Sequence, residues 1–123
     1  MIERIEEMPA GTIGFRASGK LSRDDYVGAL EPAMRDAVDA GEVRMLFVIG
    51  PGFEGFEPRA LAEDAKFGFG FGFTHPSAWK RTAVVTDVDW IRHAMHMFGW
   101  MSPGEVAVYD LEREDEARAW IAG

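Results

Sequence analysis

Two histidines, His93 and His96, stand three residues apart in an amphipathic stretch. On a helix that spacing brings both imidazoles to one face, the least that a shared metal ion requires. No third ligand is apparent, because His75 is distant in sequence, so no metal site is assigned. Asp87 and Asp89 follow the apolar run Ala83-Val84-Val85. Ligands of open α/β sheets bind beyond the carboxyl ends of the strands, where Asp87 could act as an acid or base with His75 or His93. The plainer alternative is that one of the two aspartates caps the next helix. Gly50 to Gly55 closes the preceding apolar run and would share one crevice with them. Ser18, Ser22, Ser77 and Ser102 lie in turn or cap contexts, and none stands in Gly-x-Ser-x-Gly. The chain has no cysteine, which removes thiolate catalysis, disulfides and cysteine-type zinc sites. No catalytic residue and no cofactor is assigned on this basis.

The phenylalanines are the most unusual feature. Phe53 and Phe56 precede a helix signal, and Phe67, Phe69, Phe71 and Phe73 alternate with glycine after it. Large rings on a glycine frame could line a pocket, form a lid or insert shallowly into a membrane. Plain packing in the core is the competing reading. Alternation brings the last four to one face only if the segment is extended. The Gly-x-Gly-x-Gly spacing lacks the strand-to-helix context of a nucleotide-binding loop.

The elements that would position these residues are well marked. Ile2 to Met8 and Thr12 to Ala17 read as strands joined by a turn at Pro9-Ala10-Gly11, which implies an antiparallel hairpin. Ser22 and Asp25 form a capping-box start. Tyr26, Val27, Leu30, Ala33, Met34, Ala37 and Val38 come next at helical spacing, with Pro32 expected to bend the helix or remove a hydrogen bond, and Gly41 ends it. Val43 to Ile49 reads as a strand buried on both faces and broken by Gly50-Pro51-Gly52. Pro58 suits the first turn of a second helix carrying Leu61, Ala62 and Ala65 inward. Thr82 to Thr86 is the next strand, and the helix after it is expected to bury Trp90, Ala94, Met97 and Phe98. Val106 to Tyr109 is a last strand, and Asp110 opens a last helix that docks through Ala117, Trp120 and Ile121. Its acidic first turns, Glu112 to Glu116, suit the positive end of the helix dipole. The order is β-β-α-β-α-β-α-β-α, which predicts a single α/β domain spanning residues 1–123, with a five-stranded mixed sheet and four helices.

Composition narrows the partners. The chain has 123 residues, 47% of them apolar and 28% charged, within the range of one globular domain. A net charge of −8, with Arg4, Arg16, Lys20, Arg44, Lys80 and Arg81 scattered, argues against nucleic acid. No apolar run approaches the ~20 residues that span a bilayer, and the N-terminus lacks a signal-peptide pattern, so a cytoplasmic location is expected.

Three stretches resemble the SpoIIAA-like family, a branch of the STAS fold: Gly19 to Tyr26, Lys80 to Asp87 with Trp90 following, and Asp115 to Ile121. The resemblance spans nearly the whole chain and implies five strands, four helices and two functional precedents. STAS domains of the anti-sigma-antagonist type bind a partner protein and are switched by phosphorylation of a serine at the start of the second helix. The matching stretch here, Ile49 to Phe56, contains no Ser or Thr, so the resemblance carries no such switch. The other precedent is a likeness to lipid-carrying CRAL-TRIO-like folds. A non-catalytic module is therefore expected, contacting an apolar ligand, a membrane periphery or a partner protein through Phe53, Phe56, Phe67, Phe69, Phe71, Phe73 and Trp100. Trp100 joins this set because the third helix should end at Gly99 and leave its ring partly exposed. A homodimer that covers the phenylalanines is the third expectation.

Overall fold

A computed structural model of the chain describes residues 1–60, 62, 76–98 and 104–123. Strand β1 (Ile2–Arg4) pairs antiparallel with β2 (Ile13–Leu21), with Ile2 opposite Ala17. The turn between them holds Gly11 at φ 79°, and Thr12 donates twice to the Pro9 carbonyl, through its N–H and its hydroxyl. β2, β3 (Val43–Phe56), β4 (Trp79–Thr86) and β5 (Glu105–Tyr109) then run parallel, so the sheet order is the chain order β1-β2-β3-β4-β5. This is the mixed five-stranded sheet that the alternation of strands and helices predicts.

The first helix, α1, comprises an α-helical start (Arg23–Asp25), a π-helical turn (Tyr26–Leu30) and a longer α-helical part (Glu31–Asp39). Ser22 and Asp25 make the full capping box. Pro32 explains the π turn. Its ring would clash with the carbonyl four residues back in a regular helix. The wider turn relieves that, and Glu31 donates instead to the Tyr26 carbonyl, five residues back. One inserted residue rotates the two parts of the helix by about 100° relative to each other. Tyr26, Leu30, Ala33, Met34 and Val38 are buried as expected, while Val27 is 41% exposed rather than inward. Glu31 is buried at the junction, with Arg35 one turn on at 3.6 Å. Gly41, at φ 103°, ends the helix.

Helix α2 begins at residues 58–60. Ala60 is its inward residue and Ala62 is exposed, which reverses the expectation for Ala62; Leu61 and Ala65 lie outside the described residues. α3 (Asp89–Phe98) comes after β4, and a 3-10 turn (Leu111–Arg113) leads into α4 (Glu114–Ala122). Crossovers that all advance in one direction across a parallel sheet, each right-handed, must cover the same face. The two cores obey this rule. One face packs Phe15, Met45, Ile49 and Val84 against α1, Ala60 and Ile91 of α3. The other packs Leu46, Val48, Ala83 and Val85 against Ala117 and Ile121 of α4. Odd and even positions of β3 thus face opposite cores, as a strand buried on both sides requires.

Both ends of α4 are tied to the sheet. At its start, Glu114 accepts from Arg16 and Arg118, and Arg118 also donates to the Glu7 carbonyl. Burial works against ionisation of Glu114, but Arg118 and Arg16 outweigh it and hold the carboxyl below its ordinary range. At its end, Arg44 and Arg81 donate to the Ile121 and Trp120 carbonyls at 2.9 and 2.6 Å. Two cations on the open carbonyls satisfy orphan acceptors and complement the helix dipole.

Candidate functional site

Past Ile49, β3 has no pairing with β4 among the described residues, and Phe53, Gly55 and Phe56 pair with Gly19, Lys20 and Leu21 of β2. The strand does not break at Gly50-Pro51-Gly52 as the sequence suggests. Among the described residues no strand pairs with Pro51, so its missing N–H costs no described ladder bond. The pairing here is bulged: β2 advances from Ala17 to Leu21 while β3 advances from Ile49 to Phe56. Gly19 (φ 63°) and Gly55 (φ 107°) lie in the bulged region and supply the left-handed backbone. Bulges re-aim side chains, commonly beside functional sites.

The side chains at this extension meet the start of α3. The rings of Phe53 and Phe56 lie 5.3 Å apart, edge to face. Trp90 contacts both, at 6.3 and 6.1 Å, and Tyr26 of α1 approaches Phe56 at 6.5 Å. Phe53 and Phe56 are half-buried against the larger core, whereas Trp90 is 54% exposed. The apolar spacing of this helix assigns Trp90 and Met97 to the core. Both are exposed, Met97 at 64%, and Ile91 and Met95 pack inward instead. The apolar residues of this helix offer two candidate faces, and the crossover from β4 selects the one led by Ile91. Trp90 is therefore an exposed ring that the sequence pattern places in the core.

The β4–α3 loop is occupied structurally. Asp87 accepts from the Leu111 N–H at 3.1 Å, tying this loop to the one after β5. Thr86, fully buried, accepts from the Val88 N–H through its hydroxyl, and its carbonyl accepts from Arg92. Arg92 also donates to Asp110 at 2.5 Å. One carboxylate oxygen of the exposed Asp87 thus ties the two loops together. Asp89 lies in the first turn of α3, where its charge suits the dipole. His93 and His96 are both exposed. Among the described residues no group of three metal-ligating side chains is present. Gly50 to Gly55 and the helix that follows the Asp87–Asp89 loop are linked by Phe53 and Trp90, whose rings lie 6.3 Å apart. Phe67, Phe69, Phe71, Phe73, His75 and Trp100 lie outside the described residues.

A family model described as SpoIIAA-like matches residues 12–122. The chain belongs to the SpoIIAA-like family. A solved structure from Shewanella loihica PV-4, described as an uncharacterised protein of the DUF3478 family with a SpoIIAA-like fold, superposes with a TM-score of 0.69 at 24% identity. The match covers 98% of this SpoIIAA-like chain and 93% of that one, and it establishes the fold. No curated protein matches the chain. The four-helix, five-stranded architecture is thus that of the SpoIIAA-like fold. No described helix is long and apolar enough to cross a membrane.

Proposed function

We propose that this SpoIIAA-like domain is a non-catalytic module that takes an apolar small molecule, of the lipid or fatty-acyl class, on the ensemble of Phe53, Phe56 and Trp90. The observation that carries the reading is the exposure of Trp90 while it is held against two other rings. A large indole fixed at the surface offers apolar area at little cost in side-chain entropy, which is how binding surfaces obtain affinity. The position supports the reading too, because it lies past the carboxyl end of β4 beside the extended β3, where open α/β sheets bind ligands. Phe67, Phe69, Phe71, Phe73 and Trp100 belong to the same proposal on the strength of the sequence.

The test is native mass spectrometry of the purified protein, then organic extraction of any co-purifying molecule. A bound apolar molecule, lost or weakened about tenfold or more in Trp90→Ala and in Phe69→Ser with Phe71→Ser, supports the proposal. A bare protein that shows no mass shift with a panel of fatty acids and lipids overturns it and leaves a partner protein as the occupant of the aromatic surface.

A further inference from the structure

The π turn decides which side chain of α1 stands behind the aromatic surface. Leu30 is buried, and a regular helix would put the residues three and four before it, Val27 and Tyr26, on the same face. With one extra residue in the turn, Tyr26 moves to the place of the third and Val27 is carried outward. The burials agree, since Tyr26 is 4% exposed and Val27 is 41% exposed. In that place the Tyr26 ring lies 6.5 Å from Phe56, and Phe56 meets Trp90 at 6.1 Å. Tyr26 is thus a buried ring backing the half-buried Phe56 and, through it, the exposed Trp90. A regular helix would turn Tyr26 by about 100° and bring Val27 into its place.

We propose that Pro32 is a positioning residue of the aromatic surface: the π turn it imposes sets Tyr26, in place of Val27, behind Phe56, and so fixes the rings that meet the ligand. Pro32 is itself exposed and acts only through the backbone. Its ring excludes the regular turn by clashing with the Gly28 carbonyl four residues back. Val27 and Gly28 are exposed too, so carbonyls released by the wider turn lie where water can bond them. The effect on binding rests on the apolar-ligand proposal, whereas the placement of Tyr26 does not.

The test compares the parent with Pro32→Ala and with Pro32→Ala from which Gly28 is also deleted. Pro32→Ala frees the helix to become regular, and alanine suits an exposed helical position. The deletion removes the extra residue, so a regular helix then keeps Tyr26 in its present place. Gly28 is exposed, with nothing within 4 Å of an added carbon, so its loss empties no packed site. Nuclear Overhauser contacts between the Tyr26 and Phe56 rings read the placement, calorimetry with dodecanoate reads binding, and far-UV circular dichroism confirms folding. Pro32→Ala is expected to lose the Tyr26–Phe56 contact, gain one from the Val27 methyls to Phe56, and bind dodecanoate about fivefold more weakly or worse. The deletion variant is expected to recover both the ring contact and the affinity. A Pro32→Ala variant that keeps the ring contact overturns the proposal. So does one that loses the contact yet binds dodecanoate as the parent does, or a folded deletion variant that fails to regain the contact. A parent that binds neither dodecanoate nor any lipid of the panel sinks the ligand reading instead, and the ring contacts then decide the role of Pro32 alone.

Discussion

The guanidinium of Arg81 donates to the Trp120 carbonyl at 2.6 Å and lies 5.0 Å from the centre of the Trp120 ring. One side chain from β4 thus satisfies a terminal acceptor of α4 and stacks on the residue that bears it. Arg44, on the neighbouring strand, donates likewise to the Ile121 carbonyl. The last helix is fastened to the sheet by these cations as well as by Ala117 and Ile121.

Arg81→Ala removes a charge-assisted hydrogen bond and a cation–π contact together. The expected loss is about 2 kcal/mol, read from urea unfolding. Glu105→Ala, which removes only Arg81's exposed partner, costs about 0.5 kcal/mol or less. Equal effects of the two would show that the ion pair, and not the helix cap, is what matters.

The face that α3 buries can be decided by comparing neighbours. Ile91 is buried in the larger core, so Ile91→Ala should cost about 2–4 kcal/mol. Trp90→Ala, at a half-exposed ring, should cost about 1–2 kcal/mol, from its contacts with Phe53 and Phe56. The opposite ranking in thermal or chemical unfolding would return Trp90 to the core.

Asp25 sets an acid limb on stability. Burial opposes its charge, but the N–H and hydroxyl of Ser22 and the Met1 ammonium outweigh that and hold its carboxyl below the ordinary aspartate range. A carboxyl depressed in the folded state stabilises above its unfolded pKa, and the contribution fades as pH falls through the folded value. Asp25→Asn should therefore be less stable than the parent by about 1 kcal/mol at neutral pH, with the gap closing in acid below the ordinary carboxylate range. A gap that stays constant across that window would assign the effect to something other than the ionised cap.

Gly104 is constrained twice. Its φ is 77°, and a Cβ there would lie 2.6 Å from the Trp79 carbonyl oxygen. Gly104→Ala should cost more than about 1 kcal/mol, whereas Gly50→Ala, with nothing within 4 Å of the added carbon, should be near neutral. Matched unfolding curves would read the difference, and equal melting temperatures would remove the constraint assigned to Gly104.

The order of strands and helices was legible in the chain because each element has its own local signal. Ser22 and Asp25 make the cap that their spacing announces, and Gly41 stops the helix by adopting a backbone angle that other residues avoid. The unbroken run Met45-Leu46-Phe47-Val48-Ile49 specified a strand with apolar neighbours above and below, and the two cores supply them. Phe53 and Phe56 were legible as candidate site residues for the same reason, being large rings beside glycines where packing patterns stop.

Other features were decided only by the tertiary structure, because they depend on what lies across space. Gly50-Pro51-Gly52 reads as a break in isolation, yet β2 continues beside it and keeps residues 50–56 in the sheet. Trp90 and Ile91 are equally apolar in the chain, and only the path of α3 over the sheet settles which is buried. Asp87 reads from the chain as a cap or a base, and only the fold brings it within 3.1 Å of the Leu111 N–H in the loop after β5. Arg44 and Arg81 look scattered until the end of α4 arrives above them. Local sequence settles backbone preference and periodicity, whereas the partner of a side chain is set by the packing of elements far apart in the chain.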